Sequence, residues 1–167
     1  SSVVGTGTHL STEMMKYMAK LDLVHVPYKG GAPAVNGLLG GQVQVNLATI
    51  STALPHVKSG ALRALAVSTG QRWPSTPDLP TLAEAGLTGY DYASWVGMFA
   101  PAKTPAAIVN RLWKEAASAA RSAEMKSVLA QEAAEPIGNS PEQFAVIVNR
   151  EIATWKKVVA AAGIQPE

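Results

Sequence analysis

The stretch His25-Val-Pro-Tyr-Lys-Gly-Gly-Ala-Pro-Ala-Val-Asn-Gly-Leu-Leu-Gly-Gly-Gln-Val-Gln-Val-Asn46 decides the fold of this chain. It overlaps the apolar run Leu23–Val26, which predicts a β-strand. The loop Lys29-Gly30-Gly31 then leads into a short helix that we expect to begin at Ala32-Pro33, and Gly40-Gly41 ends that helix before a second apolar run. Strand, glycine loop, helix and strand form a βαβ unit, in which N–H groups at the start of the helix can receive an anion.

The composition is that of a globular protein that can bury a core. The chain has 167 residues, of which 47% are hydrophobic and 16% are charged, enough for one domain or two small lobes. Its formal net charge of +2 comes from 14 basic and 12 acidic side chains that are scattered along the sequence. We therefore expect no nucleic-acid partner. No apolar run reaches membrane-spanning length, so no direct membrane insertion is expected either.

The pattern of predicted elements changes near Pro101. Before this residue, apolar runs alternate with short helices, and three further strands are predicted at Val43–Ile50, Ala61–Ser68 and Tyr90–Ala100. After it, the sequence is helical and rich in alanine. Two helix starts are predicted there, at Thr104-Pro105 and at the capping box Ser140-Pro-Glu-Gln143.

A second glycine loop, Gly5-Thr6-Gly7-Thr8, precedes a helix that is predicted from His9 to about Lys20. Thr6 or Thr8 can cap this helix. A loop rich in hydroxyl groups at a helix N-terminus favours a carboxylate or a phosphate. From spacing alone, a role in capping the helix is favoured over a role in binding, because Gly-x-Gly without a third glycine is a weak signal.

The residue patterns that catalysis, metal binding or cofactor binding require do not occur. The histidines His9, His25 and His56 have no metal-ligand spacing. No serine lies in a Gly-x-Ser-x-Gly motif, and neither a Walker loop nor a complete dinucleotide fingerprint is present. The chain has no cysteine, which excludes disulfides and thiolate chemistry. We therefore predict no catalytic residue, no metal and no cofactor.

Several longer segments carry a more specific pattern than the order of elements. They are His25-Val-Pro-Tyr-Lys-Gly-Gly-Ala-Pro-Ala, Leu38-Leu-Gly-Gly-Gln-Val43, Leu54-Pro-His-Val57, Gly60-Ala-Leu-Arg-Ala-Leu-Ala-Val67 and Pro80-Thr-Leu-Ala-Glu-Ala-Gly86. Phe99-Ala-Pro-Ala102 and Ser140-Pro-Glu-Gln-Phe144 continue the pattern in the same order. Taken together, these segments resemble the tripartite tricarboxylate transporter substrate-binding family, the Bug-type (TctC-like) periplasmic receptors. The resemblance covers nearly the whole chain.

The resemblance implies a fold, a function and a location. The fold would be α/β, a two-lobed periplasmic-binding-protein type II-like architecture with βαβ units around a mostly parallel sheet. Residues 1–92 would form the second, ligand-binding lobe, and residues 93–167 the crossover strand and the C-terminal helices that pack on the first lobe. The function would be that of a non-enzymatic periplasmic receptor that delivers a small carboxylated compound to the permease subunits of a membrane transporter.

The resemblance also implies a set of ligand-binding residues. The loop that opens the first helix and the loop beginning at Lys29 would form the edges of the pocket, with a third contribution after the Gln-Val strand. The expected residues are Thr6, Gly7, Thr8, His9, Gly31, Ala32, Ala48 and Thr49. Family members that bind amino acids carry an Asp where this chain has Ala48. We therefore predict a simple carboxylate or an aromatic acid in preference to an amino acid.

Two features of the chain leave other interpretations open. The first-lobe segment of the family, with its Pro-Gly-Gly loop, is missing from the sequence, and the chain opens on Ser1-Ser2-Val3-Val4 without an initiator Met. A fragment or a processed chain is therefore expected. The alternative function is an effector-sensing domain of a regulator, because two-lobed binding folds are reused in that way. A DNA-binding region upstream would favour this alternative, and a signal peptide would exclude it.

Overall fold

The computed structural model describes residues 3–164 and contains six helices among them. They are α1 (Gly7–Ala19), α2 (Gly31–Leu39), α3 (Ile50–Lys58), α4 (Ala106–Ala120), α5 (Ala123–Gln131) and α6 (Pro141–Ala162). Among the described residues, one compact unit holds 3–94 and 157–164, and a second holds 95–156. The predicted assignment of residues 1–92 and 93–167 to two lobes of a larger fold stays a prediction. Ser1 and Ser2, part of a predicted strand end, lie outside the described residues.

The first two helices begin slightly earlier than the sequence predicted. Helix α1 starts at Gly7, with Thr6 in the N-cap position, although the Thr6 hydroxyl donates to the Val3 carbonyl at 2.6 Å and makes no capping bond. Helix α2 starts at Gly31, after an N-cap Gly30 with φ of 119°. Only glycine adopts that backbone conformation at low cost, so Gly30 sets the direction in which α2 leaves the loop.

The capping box predicted at Ser140 is confirmed, and Thr81 and Glu84 form a second one. The Ser140 amide donates to Gln143 Oε1 at 3.0 Å, and the Gln143 amide donates to Ser140 Oγ at 3.3 Å, which opens α6. The Thr81 amide donates to Glu84 Oε2 at 2.8 Å, and the Glu84 amide donates to Thr81 Oγ1 at 3.0 Å. The second box opens a single turn rather than a helix.

The start predicted for α4 was wrong by one residue. Pro105 is the N-cap of α4, and the helix begins at Ala106, so Thr104 lies outside the cap. Pro105 has ψ of 138°, which is an extended conformation and not a helical one.

The predicted strands do not form regular strands in the described part of the chain. An isolated parallel bridge joins Val67 to Thr81, where the Val67 amide donates to the Pro80 carbonyl and the Leu82 amide donates to the Val67 carbonyl, both at 2.9 Å. On the other side, the Tyr92 amide donates to the Ser68 carbonyl at 2.8 Å. An apolar run becomes a strand only where a neighbouring segment completes a ladder of backbone bonds. Here the pairing is limited to these few groups.

Tyr90 lies near the end of the 3–94 segment of the first unit and connects this segment to α1. Its side chain is 1% exposed, and its hydroxyl donates to the Ser11 carbonyl at 2.9 Å. Burial raises the pKa of Tyr90, which keeps the phenol protonated and able to donate. The buried apolar side chains of the same unit are Met14, Ala34, Val35, Val67 and Val158. This core holds α1 and α2, whose first turns reach the site described below.

The second unit contains an aromatic cluster. Trp95 and Phe144 meet edge to face, with ring centroids 5.0 Å apart, and Phe99 lies 5.3 Å from Phe144. The Trp95 indole donates to Glu151 at 2.8 Å. A Cβ at Gly97 would overlap the Phe144 ring, so glycine is required there by this packing.

Candidate functional site

A partly enclosed cavity of about 190 Å³ lies in the first unit. Its lining comes from the first turns of three helices and from the segment that leads into α3. The lining residues are Thr8, Gly31, Ala32, Ala34, Asn46, Leu47, Ala48, Thr49 and Thr52. Thr8 belongs to the first turn of α1, Gly31 to that of α2, and Thr52 to that of α3.

The helix ends make this cavity attractive to an anion. The first N–H groups of an α-helix have no partner within the helix, and the aligned peptide dipoles place partial positive charge at the same end. Helices α1, α2 and α3 have 13, 9 and 9 residues, long enough for this effect. None of the nine residues that line the cavity is charged. A bound anion would therefore be held by backbone dipoles and neutral polar groups.

Two threonine hydroxyls lie together at the α3 side of the cavity. Thr49 Oγ1 and Thr52 Oγ1 are 2.9 Å apart, and the Thr52 hydroxyl also lies 2.9 Å from the Thr49 carbonyl, to which it can donate. Both hydroxyls can donate to an oxygen of a ligand after a rotation about the C–O bond. The close approach of α2 is visible at Gly31, where an added Cβ would meet the Thr52 methyl at 3.6 Å.

The structure brings together five of the eight residues predicted to bind the ligand, namely Thr8, Gly31, Ala32, Ala48 and Thr49. The other three, Thr6, Gly7 and His9, do not line the cavity. Gly7 lies against the Tyr92 hydroxyl, which a Cβ at this position would overlap. His9 is 4% exposed and belongs to the core of the unit. A ligand-binding role for all eight residues stays a prediction.

His9 takes part in a buried polar arrangement beside the cavity. Its Nδ1 accepts the Gly5 amide at 3.1 Å, and its ring stacks on His25 with centroids 4.1 Å apart. The Glu13 carboxylate lies 3.9 Å from His9 Nε2 and accepts the Lys16 ammonium at 2.9 Å. Burial lowers the pKa of His9 and of His25, although Glu13 acts in the opposite direction on both. The i,i+4 spacing of His9 and Glu13 signals this pair in the sequence.

Sequence reasoning missed four lining residues, which are Ala34, Asn46, Leu47 and Thr52. Asn46 is the most unusual of them, because its Nδ2 and Oδ1 atoms are both buried and have no hydrogen-bond partner in the described structure. Its position within a predicted apolar strand gave no sign of this, since hydrogen-bond satisfaction depends on the surrounding fold. Thr52 could have been found from the sequence, because it directly follows Ser51, a residue type that often caps a helix.

No group of His, Cys, Asp or Glu side chains among residues 3–164 is arranged to hold a metal ion. Within the same residues, no helix combines the length and the apolar character that crossing a membrane requires.

The sequence matches the model of the tripartite tricarboxylate transporter family receptor (TctC) over residues 1–164. The chain belongs to this family. BugT of Bordetella pertussis is 32% identical over 162 residues, which are 97% of this chain and 50% of BugT. A protein from the tcbD–tcbE intergenic region of a Pseudomonas species is 34% identical over 160 residues, which are 95% of this chain and 48% of that protein. The chain spans about half the length of these curated relatives.

Solved structures confirm the fold class of the family. Rpa4515 of R. palustris, solved with adipate, superimposes with a TM-score of 0.84 and 40% identity, covering 99% of this chain and 56% of Rpa4515. The periplasmic binding protein BugD gives a TM-score of 0.81 and 31% identity, with 99% and 57% covered. MatC from Rhodopseudomonas palustris, with bound malate, gives a TM-score of 0.77 and 32% identity. The match covers 95% of this chain and 56% of MatC. The TctC family consists of solute-binding receptors and not of enzymes, as predicted.

Proposed function

We propose that this chain supplies one half of the pocket of a periplasmic receptor for a small carboxylate, which the receptor delivers to the permease subunits of a tripartite tricarboxylate-type transporter. The observation that supports the ligand class best is the cavity formed by three helix N-termini without a charged side chain. Such a site stabilises a carboxylate through N–H groups and helix dipoles. Its volume of about 190 Å³ is below the roughly 300–1,000 Å³ of pockets for drug-sized ligands. It therefore suits a small acid, or one end of it.

The same lining argues against an amino acid as ligand. An ammonium group that leaves water needs an anionic or strongly accepting partner. No carboxylate lies among the residues that line the cavity, and one of them is Ala48, where the family resemblance implies an Asp in the members that bind amino acids. Family relatives bound to adipate and malate support a plain or hydroxylated carboxylate.

Titration calorimetry of the purified protein with adipate, malate and aspartate tests the proposal. We expect measurable binding of at least one of the first two acids, and weaker binding of aspartate. Tightest binding of aspartate would contradict the proposed ligand class. Absence of binding by every acid would contradict the proposed function of this cavity.

The variant Ala48→Asp tests whether this cavity is the site. A carboxylate at position 48 would face the ligand carboxylate in a poorly solvated place, and like charges there repel. We expect the affinity for the acid that binds best to fall at least about tenfold, because close like charges cost on the order of 1.4 kcal/mol or more. Ala61→Asp, at an exposed position outside the cavity, is the matched control and should bind like the wild type.

A further inference from the structure

Asn46 combines a place in the cavity wall with a side chain that has no partner. The residue lines the cavity, and both polar atoms of its amide are buried without a hydrogen bond in the described structure. Buried polar side-chain atoms are satisfied in the large majority of cases, and an unsatisfied one destabilises the folded protein. A ligand that supplied the missing hydrogen-bond partners would explain why an asparagine with this cost in stability lies in the cavity wall.

The amide needs two different partners. Its Nδ2 donates hydrogen bonds and its Oδ1 accepts them. An ionised carboxylate only accepts, so it can satisfy Nδ2 and leaves Oδ1 unpaired. A hydroxyl donates as well as accepts, and it carries no charge that would need a counter-ion in this uncharged cavity.

We infer that Asn46 selects a carboxylate that carries a hydroxyl group near it, with Nδ2 donating to the ligand and Oδ1 accepting from the hydroxyl. This inference rests on the proposed function, since it concerns the ligand of the same cavity. Both amide atoms are buried in the ligand-free structure, so this contact requires the amide to turn toward the cavity when the ligand binds. The terminal torsion of an asparagine is broad, which keeps the energetic cost of such a turn low. An ammonium would also donate to Oδ1, but the cavity lacks the acidic side chain that would balance its charge.

Malate and succinate are the matched probes, because they differ only by one hydroxyl on the same four-carbon dicarboxylate. Calorimetry of the wild-type protein should give about tenfold tighter binding for the better enantiomer of malate than for succinate. A site that hydrogen-bonds a hydroxyl discriminates against the analogue that lacks it, because its own polar groups are then left unpaired. In Asn46→Leu the ratio should fall to within about threefold, mainly through weaker binding of malate.

The stability of the ligand-free variant provides an independent measurement. Replacing an unsatisfied amide by an apolar side chain of the same branched shape removes a buried polar cost, so Asn46→Leu should unfold at the same or a higher temperature than the wild type. If Asn46→Leu fails to fold, Asn46→Ala serves for the same binding comparison. Asn36→Leu, at an exposed position of α2 outside the cavity, is the matched control and should keep the preference for malate.

The possible outcomes separate the two proposals. Equal binding of malate and succinate by the wild type would overturn the inference and leave the carboxylate receptor in place. A preference that survives in both Asn46 variants would also overturn it, because another group would then recognise the hydroxyl. Absence of binding by malate, succinate and adipate alike would overturn the proposed function, and the inference with it.

Discussion

The stacked pair of His9 and His25 should make the stability of the protein depend on pH. Neutral His9 accepts the Gly5 amide at Nδ1, so an added proton has to enter at that atom and displace a hydrogen bond. Burial lowers the pKa of both histidines below the ordinary value of 6.5, and the charge of a protonated His9, 4.1 Å away, lowers the pKa of His25 further. The nearby Glu13 and Lys16 act with opposite signs on His9.

Because the folded state binds these protons less readily than the unfolded state, the free energy of unfolding should fall as the pH falls. The stability that the neutral histidines provide is fully present above about pH 6.5 and is lost progressively below it. Each histidine lowers the free energy of unfolding by at most about 1.4 kcal/mol per pH unit. Urea denaturation between pH 8 and pH 5 measures this slope. His25→Phe should keep the ring contact and reduce the slope. An unchanged slope in this variant would show that His25 does not contribute to it.

Among the elements, α1 depends on a close approach that only glycine permits. A Cβ at Gly7 would overlap the Tyr92 hydroxyl. We expect Gly7→Ala to lower the free energy of unfolding by about 1–3 kcal/mol, the usual cost of overpacking. Urea denaturation of the variant measures this loss. The start of α1 would move with it, so the position of Thr8 at the cavity should shift as well.

Two further variants identify the cause of that loss. Tyr92→Phe removes the hydroxyl, so the double variant with Gly7→Ala should be more stable than the sum of the two single changes predicts. Gly40→Ala is the control, because Gly40 has an ordinary φ of −80° and its added Cβ would lie 3.4 Å from the nearest atom. Additive effects of Gly7→Ala and Tyr92→Phe would contradict the steric explanation.

The helices were predictable from the sequence because their start and stop signals are local. Ser140 with Gln143, and Gly163 after α6, act on neighbouring backbone groups and need no information from the rest of the fold. The segment Val43–Ile50 has strand-like composition, but composition does not specify the partner that completes a ladder. The glycine loops of the cavity are local signals as well, so the sequence indicated them. It could not indicate the role of Asn46. The lack of a partner for its amide is a property of the three-dimensional structure.

At the scale of the whole molecule, the distribution of charge predicts how binding responds to salt. The net charge is only +2, and no charged side chain lines the cavity. Long-range attraction of an anionic ligand is therefore weak, and the short-range N–H contacts are little screened. We expect the affinity for the best-binding acid to change less than about threefold between 0.05 and 0.5 M NaCl, measured by calorimetry.

Ala48→Lys provides the comparison for this prediction. It would add an ammonium group at the cavity wall, and its attraction for a carboxylate should weaken clearly as salt rises. A steep salt dependence in the wild-type protein would mean that charged groups outside the described lining contribute to binding. The uncharged cavity would then not account for the ligand affinity.

Amide hydrogens exchange with deuterium at rates set by local opening of the structure. Near the Val67–Thr81 bridge we therefore expect slowly exchanging amides beside rapidly exchanging ones. The amides of Val67, Leu82 and Tyr92 donate to backbone carbonyls, whereas those of residues 63–66 make no backbone hydrogen bond among the described residues. Exchange followed by NMR should be at least about tenfold slower at the first three, since opening their bonds costs on the order of 1.4 kcal/mol or more. Loss of protection at these three amides alone would then report separation of the paired segments while the helices remain folded.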